Sequence, residues 1–443
     1  MSRLCSLKLG LVLTVCLLGV RLDGGDRSAQ AASRHRDARA RQVGSLATPW
    51  HPDFDVVEES ARKVIHFIGT ESRRLRYMKS TDGGLTWSSP EDLGAGWAAR
   101  MATDSKGNVH LVYGTDPRPN PANPPKTGRQ ASTGWYRVRS SEGWSAPAPL
   151  AAPVMDPPVP GAFSHRIAVD GNDNVHVTYY VWPADVKKFS WKDLQRTVYV
   201  RKPAGAAFEP LVMLRHGKDA SGGGAIADPV VDRNGDVHLI YGSWNGSEWR
   251  TTHVVRKKDG SWEDKIHDWF QMTSDYSMKT AIGPDGVIHV AGFDDKTLSW
   301  IYCNNRQKPD VMKVLHVIED DWEVDLEILV TPNNDVWMSR DNHYTDEDPN
   351  WPPRPGGYRD NAAYYVHFDA TTSIWGPRTR LSPPGAENSD ATKHLHAPKF
   401  IYYDGSVRIF YAERKGAGDF KYYQRTLSGP RPLAQSSTST KHP

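Results

Sequence analysis

Charged residues recur at one position of a repeated pattern, and this spacing could place them around a common centre. A short apolar stretch that ends at an acidic residue appears as Arg100 to Asp104, Arg166 to Asp170 and Asp228 to Asp232. Four residues before this acidic position stand Arg100, Arg166, Asp228, Lys279 and Glu327, with Lys399 close by in the last copy. Arg and Lys could hold an anionic substrate. The alternative is that the charges pair with one another and only stabilise the centre.

Side chains suited to proton transfer and to stacking flank the charged position. His165, next to Arg166, is the first candidate for a reactive histidine. The remaining candidates for catalysis are Tyr180, Tyr276, Arg196, His343 and Tyr344. The candidates for substrate binding, besides the charged positions, are Trp97, Trp182, Trp244, Arg340 and His396.

The elements that must position these residues form a repeat along almost the whole chain. In each copy a strand ends at Asp or a substitute, turns through Gly-Asn or Gly-Asp, and continues as Val-His-hydrophobic-x-Tyr. The His position recurs at residues 66, 110, 176, 238, 289, 337 and 408. A period of about 45 to 70 residues indicates propeller blades or a solenoid.

Apolar alternation divides each copy into strands. The second copy predicts strands at Arg100 to Thr103, Val109 to Tyr113, Trp135 to Arg139 and after Trp144. Four antiparallel strands, repeated seven times, predict an all-β fold, a seven-bladed β-propeller over residues 46–427. The last copy lacks a convincing fourth strand, and a segment near Val43 to Trp50 is expected to supply it and close the ring.

Long connections indicate which face of the propeller carries the site. Loops from the second to the third strand share one face with the starts of the first strands. Three of these loops are long, namely Asp116 to Thr133, Trp182 to Gln195 and Asp341 to Arg359. Because long loops on a rigid scaffold often carry function, we predict the site on this face.

The sequence requires no cofactor, and a structural calcium or zinc ion stays open. Asp341-Asn342-His343 with Asp346-Glu347-Asp348 offers oxygen and nitrogen ligands, the alternative being a solvated acidic loop. The recurrent His110, His176, His238 and His289 are predicted to pack within strands. Equivalent positions in different blades lie too far apart to share one ion.

Composition and the chain ends restrict the partners and the compartment. The 55 Lys and Arg residues nearly balance the 52 Asp and Glu, so no global field favours nucleic acid or an anionic membrane. Arg3 and Lys8 precede the apolar run Leu9 to Val20, which predicts a secretory signal peptide over residues 1–31. We expect an extracellular or periplasmic monomer without a membrane span. Residues 32–45 and 428–443 are expected to be disordered.

One turn carries a resemblance to a known group of proteins. Ser80-Thr-Asp82-Gly-Gly84-Leu-Thr86-Trp87 matches Ser-x-Asp-x-Gly-x-Thr-Trp and resembles the Asp-box, or BNR repeat, of sialidase-like propellers. Weaker copies are Ser141 to Trp144 and Lys258 to Trp262. The resemblance implies a structural turn in which Asp satisfies amides and Trp packs between sheets, and it implies no reaction.

Three functions remain open. A sialidase-type hydrolase is implied by the Asp-box, but such enzymes resemble a six-bladed ring with three arginines, a Tyr-Glu pair and a Phe/Tyr-Arg-Ile-Pro motif. The nearest string here, Phe163 to Ala168, lies in the third copy. A carbohydrate-binding protein without activity could use Trp97, Trp182, Trp244 and Trp351 to stack on sugars.

The favoured hypothesis is a secreted polysaccharide lyase that cleaves a uronate-containing anionic polysaccharide by β-elimination. The chain resembles secreted seven-bladed lyases, such as the ulvan lyases, in blade number and in a site rich in His, Tyr and Arg. The reaction needs a cation beside the carboxylate, a base and an acid. We assign these roles to Arg166 or Arg196, to His165 or Tyr180, and to Tyr276 or Tyr344, respectively.

Overall fold

A computed structural model folds the chain into seven antiparallel β-sheets and, among the residues it describes, no helix. The chain divides into two units, Met1–Arg36 and Asp37–Pro443, and every strand belongs to the second. The structure describes residues 41–47, 53–115, 133–150, 162–181, 196–214, 223–226, 228–244, 249–263, 267–268, 278–294, 299–306, 313–318, 326–341, 363–377, 379–381, 395–415 and 419–427. The predicted signal peptide and the predicted C-terminal tail lie outside these residues.

The first three blades follow one another along the chain. Blade 1 contains β2 (Phe54–Glu59), β3 (Val64–Glu71), β4 (Arg74–Ser80) and β5 (Glu91–Ala95). Blade 2 contains β6 (Trp97–Thr103), β7 (Val109–Thr115), β8 (Thr133–Ser140), β9 (Gly143–Trp144) and β10 (Ala148–Pro149). Blade 3 contains β11 (Ala162–Val169), β12 (Val175–Val181), β13 (Arg196–Lys202) and β14 (Val212–Met213).

The next three blades repeat this order. Blade 4 contains β15 (Gly223–Ile226), β16 (Val230–Val231), β17 (Val237–Trp244), β18 (Trp249–Arg256) and β19 (His267–Asp268). Blade 5 contains β20 (Lys279–Ile282), β21 (Ile288–Asp294), β22 (Ser299–Asn304) and β23 (Lys313–Ile318). Blade 6 contains β24 (Leu326–Val330), β25 (Val336–Asp341), β26 (Ala363–Asp369), β27 (Ile374–Trp375) and β28 (Thr379–Arg380).

Blade 7 combines the two ends of the propeller. It contains β29 (Leu395–Tyr403), β30 (Ser406–Lys415), β31 (Asp419–Leu427) and, as its outer strand, β1 (Arg41–Ala47), which pairs antiparallel with β31. The segment expected to close the ring does so, and it begins at Arg41, five residues before the expected start of the propeller at residue 46. Val43 of β1 is buried with Phe54 and Phe420, so closure also buries apolar surface.

The first strands of the blades line the centre of the ring. β2 packs on β6, β6 on β11, β11 on β16, β16 on β20, β20 on β24, β24 on β29 and β29 again on β2. Both the seven-bladed propeller and its four-stranded antiparallel blades are therefore confirmed. Some blades have one interrupted strand: β15 and β16 both pair with β17, and β27 and β28 both pair with β26.

The turn Ser80 to Trp87 fastens blade 1 to blade 7. Asp82 accepts hydrogen bonds from the Ser80 hydroxyl at 2.8 Å and from the Thr86 amide at 2.9 Å. This folds the turn so that the Gly84 carbonyl accepts a 2.7 Å bond from the Gln424 side chain. Gly84 has φ +79°, and a Cβ there would collide with the Gln424 amide, so the position requires glycine.

The recurrent histidines hold tyrosines at the contacts between blades. His110 Nδ1 lies 2.6 Å from the Tyr136 hydroxyl and its Nε2 lies 3.2 Å from Asp104 Oδ2. The edge of Tyr136 meets Phe208 of the next blade at 5.2 Å between ring centroids. The same arrangement joins His66, Tyr77 and Trp144, then His176, Tyr199 and Trp262, and then His289, Tyr302 and Trp375. These histidines are part of the packing between sheets, as their spacing predicted.

Candidate functional site

The charged residues predicted to meet at the centre of the ring do meet there. A cavity of about 200 Å³ is lined by one charged side chain from almost every blade, together with apolar neighbours. The charged lining residues are Asp55, Arg100, Asp228, Lys279, Glu327 and Lys399. Arg166 joins them through Asp228, because its Nε lies 3.4 Å from Asp228 Oδ1. We call these seven residues the charge ring.

Irregular strand pairing precedes several members of the charge ring. The pairing register shifts between Trp97 and Arg100 in β6, between Phe163 and Arg166 in β11, and between His396 and Lys399 in β29. A β-bulge bends a strand and re-aims the side chain that follows it. Each of these bulges ends at a basic member of the ring, so the bulges contribute to placing the cations at the centre.

A chain of ion pairs links most members of the charge ring. Lys279 Nζ lies 3.0 Å from Asp228 Oδ2 and 3.5 Å from Glu327 Oε2. Glu327 Oε2 also accepts a hydrogen bond from Lys399 Nζ at 2.8 Å. On the other side, Arg100 donates to Asp53 Oδ1 at 2.9 Å. The hypothesis of mutual pairing is correct to this extent, and these pairs lie largely out of solvent, where losing one partner is costly.

Asp55 completes the charge ring and was not identified from the sequence. Its carboxylate accepts a 2.7 Å hydrogen bond from the Met101 amide of the neighbouring blade. Burial raises the pKa of Asp55, although Lys399 and Arg100 act in the opposite direction. The signal was present, since Asp55 stands four residues before Glu59, where the other copies have Asp104 and its equivalents.

Burial also affects the pKa values of Lys279 and Asp228, two paired members of the charge ring. The pKa of the Lys279 ammonium is lowered by burial, although Asp228 and Glu327 favour its charged form. Burial by itself would raise the pKa of Asp228, but Lys279 and Arg166 hold it below its ordinary value. Perturbed lysines and carboxyls in one cavity are typical of functional sites, and structural ion networks produce such shifts as well.

His165 is close to the ring but fully buried, with no exposed surface. Its ring lies 5.8 Å from that of Tyr179, between centroids. Burial, reinforced by Arg100 and Arg166, lowers the pKa of His165 to about 3, so the imidazole is neutral at pH 7. His165 does not line the cavity in this conformation, and direct proton transfer to a polysaccharide would require it to become accessible.

Several predicted site residues lie elsewhere or beyond what is described. Arg340 is buried in β25, with its guanidinium carbon 5.8 Å from the centroid of the Tyr364 ring, and it does not line the cavity. Trp97 is half-buried at the start of β6, also outside the lining. For Tyr180, Arg196, Trp244 and His396 the structure describes the backbone alone, in β12, β13, β17 and β29. Tyr276, His343, Tyr344, Trp182 and Trp351 lie outside the described residues.

Within the described ranges, no group of three or more His, Cys, Asp or Glu side chains could hold a metal ion. The ligands proposed around His343 fall outside those ranges, apart from the backbone of Asp341. No helix in the described part of the chain is long and apolar enough to cross a membrane.

Comparison with solved structures supports the architecture. A sialidase from Trypanosoma rangeli in complex with sialic acid superimposes with a TM-score of 0.50 at 9% identity, covering 86% of this chain and 60% of that one. The fold is that of a sialidase-like propeller. A Hadza microbial sialidase (TM-score 0.49, 11% identity, 81% of this chain and 76% of that chain) is also similar. A Dyadobacter fermentans protein of unknown function is similar as well, with a TM-score of 0.47 at 13% identity over 88% of this chain and 100% of that one.

Comparison at the level of sequence identifies no family for this chain. No protein-family model matches the sequence, and no curated protein matches it. The chain spans about three fifths of the length of the Trypanosoma rangeli sialidase. At such low identity the likeness shows the fold alone, and function depends on the charge ring and the residues around it.

Proposed function

We propose that this protein binds and cleaves an acidic carbohydrate at the central cavity. The observation that carries the proposal is the charge ring, in which the cations Arg100, Lys279 and Lys399 line one central cavity and Arg166 joins them through Asp228. A cluster of Arg and Lys is the group that recognises a carboxylate by charge-assisted hydrogen bonds. The solved Trypanosoma rangeli propeller with sialic acid bound supports a carbohydrate as the ligand class.

The proposed reaction is β-elimination at a uronate residue of a polysaccharide. A cation next to the carboxylate acidifies the C5 proton, a base removes it, and an acid protonates the leaving oxygen. In this proposal Arg100 or Arg166 neutralises the carboxylate. Lys279, whose pKa is lowered by burial, and Asp55, whose pKa is raised by burial, are the described residues best suited to exchange protons. Tyr180, Tyr276 and Tyr344 stay predictions for these roles.

A binding protein without turnover is the second candidate. Each of Lys279, Lys399, Arg100 and Arg166 has a carboxylate within 3.4 Å, which favours a rigid recognition surface over a reactive one. Such a protein would keep its ligand and show no product. Secretion, proposed from the N-terminal sequence, suits both candidates, because the target would be an extracellular glycan.

One assay separates the candidates. The purified protein would be incubated with a panel of uronate polysaccharides while ultraviolet absorbance of the unsaturated uronate and reducing ends are followed together. We expect both signals to rise. Reducing ends without absorbance would replace the lyase with a hydrolase of the sialidase type. Binding to a polysaccharide with neither signal would leave the binding protein as the function.

A further inference from the structure

The order of charges around the ring has one irregular step. From blade 1 to blade 7 the members are Asp55, Arg100, Arg166, Asp228, Lys279, Glu327 and Lys399. Acids and bases alternate at every step, including the closing step from Lys399 to Asp55, except between Arg100 and Arg166. A ring with an odd number of positions cannot alternate throughout. In this chain the unavoidable step between like charges falls between blades 2 and 3.

The carboxylates nearest to these two arginines approach from the outer sides of the step. Asp53, at the start of blade 1, binds Arg100 at 2.9 Å, and Asp228, in blade 4, lies 3.4 Å from Arg166. Neither acid belongs to blade 2 or blade 3. Since like charges repel most strongly where water is scarce, the segment between the two guanidinium groups is where the field of the ring most favours an added negative charge.

His165 precedes Arg166 in β11, which packs on the strand β6 that holds Arg100, and His165 carries no negative charge. Both guanidinium groups act on the His165 imidazole, and Arg166 donates a 3.1 Å hydrogen bond to the His165 carbonyl. Neither ring nitrogen of this fully buried side chain has a hydrogen-bond partner of normal geometry, and the Ala98 carbonyl is the backbone group that influences it. A buried polar group without a hydrogen-bond partner calls for an explanation, and a bound ion is one such explanation.

We propose that the segment between Arg100 and Arg166, around the His165 imidazole, is a binding site for a monoanion. Two sources fit this chemistry, the carboxylate group of an acidic sugar and a free halide ion. The carboxylate version rests on the proposed function and would fix which sector of the cavity receives the acidic group. The halide version does not depend on the proposed function. The halide would then have a structural role, because it would separate the two adjacent positive charges of the charge ring.

A pair of substitutions at His165 tests the site. H165E places a carboxylate between the two arginines, whereas H165Q has the same shape without the charge. We expect H165E to unfold at a higher temperature than H165Q in chloride-free buffer, because the carboxylate of the variant takes the place of the anion. Binding of D-glucuronate, followed by calorimetry, should be at least ~10-fold weaker in H165E than in H165Q. D-glucose, which is neutral, is the control ligand.

Each outcome decides between the sources or against the site. At constant ionic strength, a rise in the unfolding midpoint of H165Q with chloride identifies a halide site, and a rise with D-glucuronate alone identifies a sugar carboxylate. The proposal is overturned if neither anion has an effect or if H165E is less stable than H165Q, and equal binding of D-glucuronate by the two variants overturns the carboxylate version.

Failure of the proposed function would look different. Anion binding to H165Q without cleavage of any polysaccharide would keep the site and remove the lyase. Cleavage that H165E leaves unchanged would keep the lyase and remove the sugar carboxylate as the anion at this site.

Discussion

Two positions recur along the blades, and they differ in how their residues repeat. The histidine set, which spans blades 1 to 5, is nearly uniform: His66, His110, His176 and His289 all face a tyrosine hydroxyl at 2.6 to 2.8 Å, and His238 faces His253 at 2.9 Å. The charge ring changes sign from blade to blade. A position that repeats the same residue serves the blade and its contact with the next, so each copy has the same task. A position that varies serves the ring as a whole, and there the chain departs from its own repeat.

The largest expected effect comes from breaking the charge ring at its centre. Lys279→Met leaves the half-buried Asp228 and Glu327 with one cation fewer, and removing the buried partner of an ion network costs up to about 3–5 kcal/mol. The free energy of unfolding from denaturant titration checks this. The double variant K279M/E327Q should recover part of the loss. A loss below about 1 kcal/mol in K279M would mean that the ring charges do not depend on one another.

A smaller effect on stability is expected when a member of the histidine set loses its tyrosine partner. Tyr136→Phe removes the hydroxyl bound to His110 and leaves a buried imidazole nitrogen without its partner, which costs about 1–3 kcal/mol. Tyr199→Phe, in the next blade, should cost the same within about 1 kcal/mol, because the two sites have the same structure. Chemical denaturation of both variants measures it. Very different losses would contradict the idea that these positions have one task.

The burial of the histidine set also predicts that the stability of the protein depends on pH. Burial lowers the pKa of His289 to about 4, below the value near 6.5 of an unfolded histidine. Between these values the unfolded chain binds more protons, so stability is complete above about pH 6.5 and falls as the pH drops toward 4, by about 1.4 kcal/mol per pH unit for this group. His289→Phe should reduce the slope by this amount. An unchanged slope would show that His289 titrates in the folded protein as it does in the unfolded chain.

The smallest effect is expected at an exposed ion pair between blades 1 and 7. Lys63 Nζ lies 2.6 Å from Asp404 Oδ1, and both side chains are more than half exposed. Solvent screens such pairs, so Lys63→Met should leave the unfolding midpoint close to that of the unchanged protein. Thermal unfolding at low and high salt checks this. A loss as large as that of Lys279→Met would contradict the distinction between surface pairs and the charge ring.

The sequence predicted the fold well because the repeat supplies many copies of one signal. Strand order, blade number and the closing strand depend on apolar alternation and on turn residues, which are local features. The closing strand still began earlier than expected, since Arg41 and Gln42 give no apolar signal of their own. The structural task of the recurrent histidines was also predictable, because a residue repeated around a ring cannot gather at one site.

The site was predicted less completely, for physical reasons. The repeated position that holds the charge ring was visible in the sequence, yet Asp55 was missed although it stands four residues before Glu59, the matching acidic position of the first copy. His165 was taken as an accessible base, whereas its burial depends on packing between two blades, which no local pattern reports. The bulges before Arg100, Arg166 and Lys399 likewise arise from strand pairing and not from a turn motif.

The most direct test of the central claim is a comparison of two ligands that differ in charge alone. Binding of a short uronate oligosaccharide and of its carboxyl-reduced, neutral counterpart would be measured by calorimetry, with the unchanged protein and with Arg166→Gln. We predict that the acidic ligand binds at least ~10-fold more tightly than the neutral one and that Arg166→Gln removes most of this difference. Equal binding of the two ligands by the unchanged protein would contradict recognition of an acidic carbohydrate by the charge ring.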